Sequence, residues 1–297
     1  MSRVGAVVVS WNGGEALERC VASIVGQGVS PLVIVDNGSR QTEVERLQKL
    51  YGELPDTRLI LLRENRGFAE GANIGLRVVW DADATAVVVV TQDVVLEVGA
   101  VQLLIAAAQA DVGIVGPVVL DSHSGVEISR GERIILPLIC FPRSILRYRN
   151  RGDDAYDVSG VMGCLMLITG ECARIVGGFD ASFFAYYEEV DLCLRARHAG
   201  FRLRCVPRAR VTHDGMRGFV GGLTPLAAEL KARNLVWLMR KHGNALSWAS
   251  FVPMYALLLA CSAILYALRG QVEIVAALWR GALAGLSSRL WPPKAET

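Results

Sequence analysis

The chain has no paired cysteines: its seven cysteines, at positions 20, 140, 164, 172, 193, 205 and 261, are odd in number, scattered, and never spaced as CxxC. That argues against a cysteine zinc site, a thioredoxin-like redox motif and a disulfide scaffold, and the thiols read as small core residues in a reducing compartment. Net charge is also small, +2 from 31 basic and 29 acidic residues, and no basic run alternates with aromatics, so no nucleic-acid partner is expected. There is no GxGxxG and no Walker lysine, which removes the usual signatures of dinucleotide oxidoreductases and P-loop enzymes. Nor is a secretory leader expected. Val4 to Val9 is too short, lacks the usual basic flank and runs straight into motif-like sequence, so the catalytic part is expected in the cytoplasm. No internal repeat or low-complexity tract occurs.

What is abundant is apolar. Hydrophobic residues make up 52% of the 297, and mean hydropathy is +0.36, much of the excess lying after Ser247. This length predicts one large domain with an appendage, here residues 1–225 and 226–297. In the first part, short β-branched runs alternate with helical spacing. Strands are expected at Val4–Ser10, Leu32–Val35, Arg58–Leu62, Ala86–Val90 and Val112–Val115, and helices at about Gly13–Val25, Gln41–Leu50, Gly67–Trp80 and Val98–Ala110. Continuous apolar strands separated by helices predict an α/β fold whose mostly parallel sheet is covered on both faces. From Pro117 to Asp157 the periodicity fails, and Arg143, Arg147, Arg149 and Arg151 crowd together. This reads as an inserted loop that either meets an anionic acceptor or lipid head groups, or faces solvent.

The C-terminal part predicts three helices. Leu226–His242 reads as amphipathic, with Lys231, Arg233, Arg240 and Lys241 on its polar side. Ala245–Leu268 has no charged residue and reaches the roughly 20 residues needed to cross a bilayer, though Pro253 interrupts it. Ile274–Leu290 is a second apolar helix. Positive charge flanks both ends of the first apolar helix, so it sets no topology. The expectation is a pair of helices lying in the inner face of the cytoplasmic membrane, with a single span as the alternative. A glycine-rich run between Gly215 and Gly222 suits a lid or a linker.

In such a sheet, ligands gather beyond the carboxyl ends of the strands. Ser10, Trp11 and Asn12 end the first strand, Asp36 and Asn37 the second, and Gln92 and Asp93 the fourth. Asp36 can accept from a nucleobase N–H or a ribose hydroxyl, or serve as a turn former. Asn65-Arg66-Gly67 leads into Gly71, Asn73 and Gly75, and the four-residue glycine spacing lets a backbone pack closely. Asp93 can hold a divalent cation against a diphosphate, with His213, which closes the apolar run Arg210–Thr212, as a second ligand. Downstream of Phe183, Phe184, Tyr186 and Tyr187, the acids Glu188, Glu189 and Asp191 open a helix. They are either favourable helix-start charges, Asp191 pairing with Arg195, or carboxylates brought to a cleft wall as a general base.

Taken together, VVVSWN, IVDNGS, ENRGFAEGANIG, TQDVVL, GGFDASFFAYYEEVDLCLRARHAGFRL, VPRARVTH and the pair Arg233-Asn234 resemble an inverting family 2 glycosyltransferase of GT-A (Rossmann-like) fold. The similarity is to the branch of rhamnosyltransferases that build bacterial cell-surface polysaccharides, and it covers most of residues 4–240. The resemblance implies that Asp36 reads the nucleobase and that Asn65, Gly67 and Asn73 line the nucleotide. It also implies that Asp93 and His213 bind Mg2+ or Mn2+, and that Glu189 stands where the family has its catalytic base, with Glu188 and Asp191 as candidates for the same role. Thr91 departs from the family by replacing the first acid of a DxD, and Glu189 by replacing an Asp. The implied donor is a nucleotide sugar, dTDP-rhamnose in this branch, and the implied acceptor a glycan or a polyprenyl diphosphate glycan. A nucleotidyltransferase and a noncatalytic, membrane-bound nucleotide-sugar binder are the alternatives.

Overall fold

Runs of valine and isoleucine without polar alternation leave no face for water, and they form the interior of one sheet in the computed structural model, which describes residues 3–138, 152–214 and 223–287. Strands β1 (Val4–Ser10), β2 (Leu32–Asp36), β3 (Thr57–Leu61) and β4 (Ala86–Thr91) pair in parallel in the order β3-β2-β1-β4. Helices α1 (Gly14–Val25) and α2 (Gln41–Tyr51) cover one face, and α3 (Gly67–Asp81) covers the other. Residues of β1 divide accordingly: Val4, Ala6 and Val8 pack on the first side, Val7 and Val9 on the second. The glycine spacing in α3 works as expected, because a Cβ at Gly75 would lie 2.4 Å from Val7 Cγ1. The helix therefore closes directly onto β1.

Beyond β4 the sheet continues β9-β6-β10-β5. Strand β9 (Leu165–Thr169) runs antiparallel between β4 and β6 (Val112–Asp121), β10 (Arg202–His213) returns parallel to β6, and β5 (Val94–Leu96) lies antiparallel on β10. Along this path β1, β2, β3, β4, β6 and β10 share one direction, so the sheet is mostly parallel. Helices α4 (Ala100–Ala107), α5 (Gly170–Val176) and α6 (Glu188–His198) complete the layers. Short strands β7 (Glu127–Ser129) and β8 (Tyr156–Val158) pair onto β6 and β10.

Periodicity does not fail at Pro117. Strand β6 runs on to Asp121, with Pro117 beside the register shift between Val206 and Arg210 of β10, where the ladder is already interrupted. The arginine-rich segment containing Arg143, Arg147, Arg149 and Arg151, and the glycine run Gly215–Gly222, lie outside the described residues.

Helix α7 (Pro225–His242) differs from the expected amphipathic helix. Arg233 and Asn234 are fully buried, and the helix is covered on two sides. Phe183, Val190 and Leu194 pack against its Leu238, while α8 (Ala245–Leu268) and α9 (Val272–Leu286) pack on Ala228, Leu235, Val236 and Met239. A helix enclosed this way keeps few positions for solvent. Helix α9 lies along α7, and α8 reaches it with the Tyr255 hydroxyl donating to Ala232 O at 2.7 Å. From Tyr255 helix α8 continues to Leu268, and the turn from there to Val272 forms the tip of the α8–α9 pair. Beyond Leu259, α8 has no buried residue. Among the described residues, α8 is the one helix long and apolar enough to cross a membrane.

Candidate active site

Strand register lines polar residues along one edge of the sheet. Ser10 of β1 lies opposite Asp36 of β2, and Val9 opposite Thr91 of β4, so Ser10, Asp36 and the Thr91-Gln92 step end neighbouring strands at one level. Asp36 is fully buried. Burial pushes its carboxyl above the usual range, and the Ser39 hydroxyl and amide, both donating to it, pull the other way. Ser10 Oγ is buried and has no hydrogen-bond partner among the described residues. Gln92 ties the β1 and β4 ends together, accepting from Trp11 N at 2.7 Å and donating to Trp11 O at 3.2 Å. The Trp11 side chain is left 51% exposed over the crevice edge. Asn12 accepts from Arg40 N, so its side chain closes the loop before α2.

The start of α3 is held by a cage of amides. Asn37 Nδ2 donates to Asn65 Oδ1 and Gly67 O, Asn37 Oδ1 accepts from Arg66 N, and Asn65 Oδ1 accepts from Gly67 N. Asn37 and Asn65 thus shape the crevice wall through its backbone. Gly67 has φ +81, and a Cβ there would meet Phe184 O at 2.5 Å, so the position needs glycine on both counts. Asn73 is not brought to this edge. Nearly two turns along α3, its amide accepts from Phe179 N and donates to Phe179 O.

Asp93 and His213, far apart in the chain, are made neighbours by the antiparallel β5–β10 ladder, in which Val94 pairs with His213. His213 Nε2 lies 3.3 Å from Asp93 Oδ2, and the Thr91 hydroxyl donates to Asp93 Oδ1 at 2.7 Å. Burial alone would raise the Asp93 carboxyl, but the imidazole and the hydroxyl outweigh it and hold it below the ordinary value. Thr91 therefore orients the acid two residues after it. Mg2+ or Mn2+ accepts carboxylate and imidazole ligands and commonly takes only one or two from the protein, substrate phosphates supplying the rest. The Asp93–His213 pair fits that role, and His213 Nδ1 is buried without a partner among the described residues. Those residues include no cluster of three or more His, Cys, Asp or Glu that would enclose an ion alone.

The opposite wall is irregular. Between the single turn Ala181–Phe183 and α6 the backbone is left-handed at Phe184, Tyr186 and Tyr187, with φ of 64, 69 and 70°. Each such conformation in a non-glycine residue costs about 1–3 kcal/mol and persists only where its surroundings impose it. This segment delivers Glu188 and Glu189, both nearly buried, at the start of α6. Glu189 packs on Gly163, where a Cβ would meet its Cγ at 2.9 Å. Cys164, the next residue, accepts from Thr91 N through its carbonyl, so Glu189 stands beside the end of β4. Asp191 points elsewhere. Fully buried, it accepts from Arg195 Nε at 2.7 Å and His242 Nε2 at 2.8 Å and lies 2.8 Å from Lys241 Nζ, which joins α6 to the end of α7.

Four residues have contacts here that their motifs alone did not assign. Ser39 braces Asp36 and also accepts from Asn12 N. Gly163 makes room for Glu189. Arg233 and Asn234 hold the left-handed segment from α7. The adjacent Arg-Asn pair in a helix was the available signal for the last, but its burial depends on α8 and α9.

Residues 2–227 match the family model described as glycosyltransferase like family 2. Among curated proteins, an N-acetylglucosaminyl-diphospho-decaprenol L-rhamnosyltransferase of Mycobacterium tuberculosis is 27% identical over 231 residues, 70% of this chain and 74% of the relative. The dTDP-rhamnosyl transferase RfbF of Shigella flexneri is 23% identical over 253 residues, 81% of each chain. Among solved structures, the mannosyltransferase PcManGT of Pyrobaculum calidifontis, in complex with GDP-Man and Mn2+, superposes with a TM-score of 0.56 at 17% identity over 96% of this chain and 87% of its own. GalNAc-T7 with UDP, GalNAc and Mn2+ gives 0.59 at 17% identity, covering 72% of this chain and 43% of that one. The family match spans the whole sheet and the crevice residues from Ser10 to His213, and the chain belongs to the family 2 glycosyltransferases, with the GT-A fold.

Proposed function

We propose that the protein is a metal-dependent, inverting glycosyltransferase that moves rhamnose from dTDP-rhamnose to a polyprenyl-diphosphate-linked glycan at the inner face of the cytoplasmic membrane. The reading is supported above all by the Asp93–His213 pair at 3.3 Å, with Glu189 packed on Gly163, the neighbour of the Cys164 carbonyl that receives Thr91 N. The donor sugar and lipid acceptor follow the names of the rhamnosyltransferase relatives. Asp36 takes a hydrogen bond from the nucleobase or ribose, and the orphaned Ser10 hydroxyl lies at the same level for the donor. Asp93 and His213 hold Mg2+ or Mn2+, which when bound neutralises charge on the departing diphosphate. Glu189 takes the proton from the acceptor hydroxyl as that oxygen bonds to the anomeric carbon and the bond to the diphosphate oxygen breaks. A single displacement from the opposite face inverts the centre. Glu188 is the neighbouring candidate for the base, while Asp191, already engaged by Arg195, Lys241 and His242, serves the scaffold.

The exposed apolar residues of the α8–α9 pair, among them Leu257, Ile264, Leu265, Leu268 and Val272, support contact with the bilayer that holds the acceptor lipid. Arg269 and Glu273 near the tip favour a pair lying in the interface over one crossing it.

Incubation with dTDP-rhamnose, Mn2+ and a polyprenyl diphosphate acceptor is expected to release the nucleoside diphosphate. Release of pyrophosphate would indicate nucleotidyl transfer, and no product over a panel of nucleotide sugars would leave a binder. Glu189→Gln is expected to lower kcat by about 10²–10⁴-fold with donor affinity unchanged, the range of a lost general base. Wild-type turnover in that variant would move the role to Glu188.

A further inference from the structure

Within the left-handed segment before α6, Ala185 N donates to Phe183 O at 2.8 Å, and further support comes from neighbouring elements. The segment's carbonyls turn toward α7, where one side chain collects them: Asn234 Nδ2 lies 3.0 Å from Phe183 O, 2.8 Å from Ala185 O and 2.7 Å from Tyr186 O. Arg233 adds donations from Nη2 to Ser182 O at 3.1 Å and Phe183 O at 2.8 Å, and from Nε to Asn234 Oδ1 at 2.8 Å. The guanidinium is a donor only, and the backbone oxygens are acceptors only, so just one orientation of the Asn234 amide satisfies both sides. Arg233 thereby fixes the flip of Asn234, and Asn234 fixes the path of the chain. Both side chains are fully buried, so water does not take their place.

We propose that Asn234 is a positioning residue for the transfer reaction: through the Phe183, Ala185 and Tyr186 carbonyls it sets the backbone that delivers Glu188 and Glu189 to the crevice. Tyr187, left-handed with φ 70 and ψ −1, directly precedes α6, so the rotation of that peptide decides where the first turn of the helix begins. No other side chain amide on α7 reaches these carbonyls among the described residues, and aspartate of the same shape would oppose oxygen to oxygen. Phe184 transmits the same constraint to the start of α3, since its carbonyl accepts from Ala69 N at 3.1 Å and its ring lies against Gly67.

The proposal rests on Glu188 or Glu189 being the base, and its test separates the two ideas. In Asn234→Ala, kcat is expected to fall by about 100-fold, the loss typical of a catalytic group misplaced by an ångström, while nucleoside diphosphate affinity stays within about 3-fold. Hydrogen exchange of the amides across 184–190 is expected to accelerate, with the β1, β2 and β4 amides unchanged. Asn234→Ser, which keeps one donor, is expected to fall between wild type and Asn234→Ala in both readouts. An unchanged kcat with wild-type exchange overturns the positioning role. So do a parallel loss of nucleotide binding and a failure of both variants to fold, because each makes Asn234 a keystone of the fold. Wild-type protein that transfers no sugar while Asn234→Ala still frees the 184–190 amides would refute the transferase reading and leave the strut intact.

Discussion

The two walls of the crevice are built differently. On one side, Ser10, Asp36, Thr91 and Asp93 stand at the ends of regular strands whose register fixes them relative to one another. On the other, Glu188 and Glu189 follow irregular backbone that is held by buried side chains of α7. A strand end is specified many times over, by each ladder bond and each packed valine. The loop wall is specified by a few polar contacts, so single substitutions there are expected to have larger effects.

The largest expected effect on stability comes from Asp191, where the loop wall meets the end of α7. Burial by itself would raise this carboxyl, but His242, Arg195 and Lys241 outweigh it and bring it to about 2 from 3.8. A depressed carboxyl contributes stability above its unfolded value and loses it as pH falls through its folded one. The contribution is therefore complete above about pH 4, disappears between about pH 4 and pH 2, and amounts to about 2 kcal/mol. Asp191→Asn leaves the cations Arg195 and Lys241 and the His242 imidazole facing a neutral amide and is expected to cost about 3 kcal/mol at pH 7, read by urea unfolding. The variant should also lose less stability than wild type between pH 4 and pH 2. Parallel pH curves for the two proteins would remove Asp191 from the account.

A second contrast lies within the C-terminal helices. Phe251, Tyr255 and Leu259 tie the first half of α8 to α7, whereas Leu268 near the tip is 83% exposed. Leu268→Asp touches nothing buried, so folding is expected to survive, while partition onto anionic phospholipid vesicles should weaken about tenfold, the equivalent of one apolar side chain withdrawn from lipid. Tyr255→Phe, on the buried half, should instead lower stability and leave vesicle binding alone. Unchanged sedimentation of Leu268→Asp would put the tip outside the bilayer contact.

The same division decides what could be read from the chain. Valine runs with helical spacing between them specify a covered parallel sheet, and sheet topology then brings Asp36 and Asp93 to one edge, because residues at carboxyl ends converge whatever lies between them. Position along a helix was less readable: Asn73 shares a motif with Asn65, yet lies nearly two turns down α3 and binds Phe179. Burial of Arg233 was not readable at all, since a charge in a helix normally marks the solvent side, and here the two later helices α8 and α9 and the loop before α6 enclose it. Left-handed tyrosines leave no mark in composition either, because only the carbonyl partners that sustain them reveal why those residues tolerate positive φ.

The smallest expected effect returns to the strand wall and tests the contrast most directly. Thr91 donates to Asp93 Oδ1, but Asp93 is also fixed by the β5–β10 ladder and by His213. Thr91→Val preserves shape and removes one hydrogen bond of about 1 kcal/mol, so Mn2+ affinity in the presence of nucleoside diphosphate should weaken only about fivefold, with kcat little changed. Asn234→Ala removes a whole amide that meets three carbonyls and is expected to act far more strongly, because no ladder stands behind it. If Thr91→Val cost as much activity as Asn234→Ala, the strand wall would depend on single polar contacts as heavily as the loop wall does, and register would not be what makes it robust.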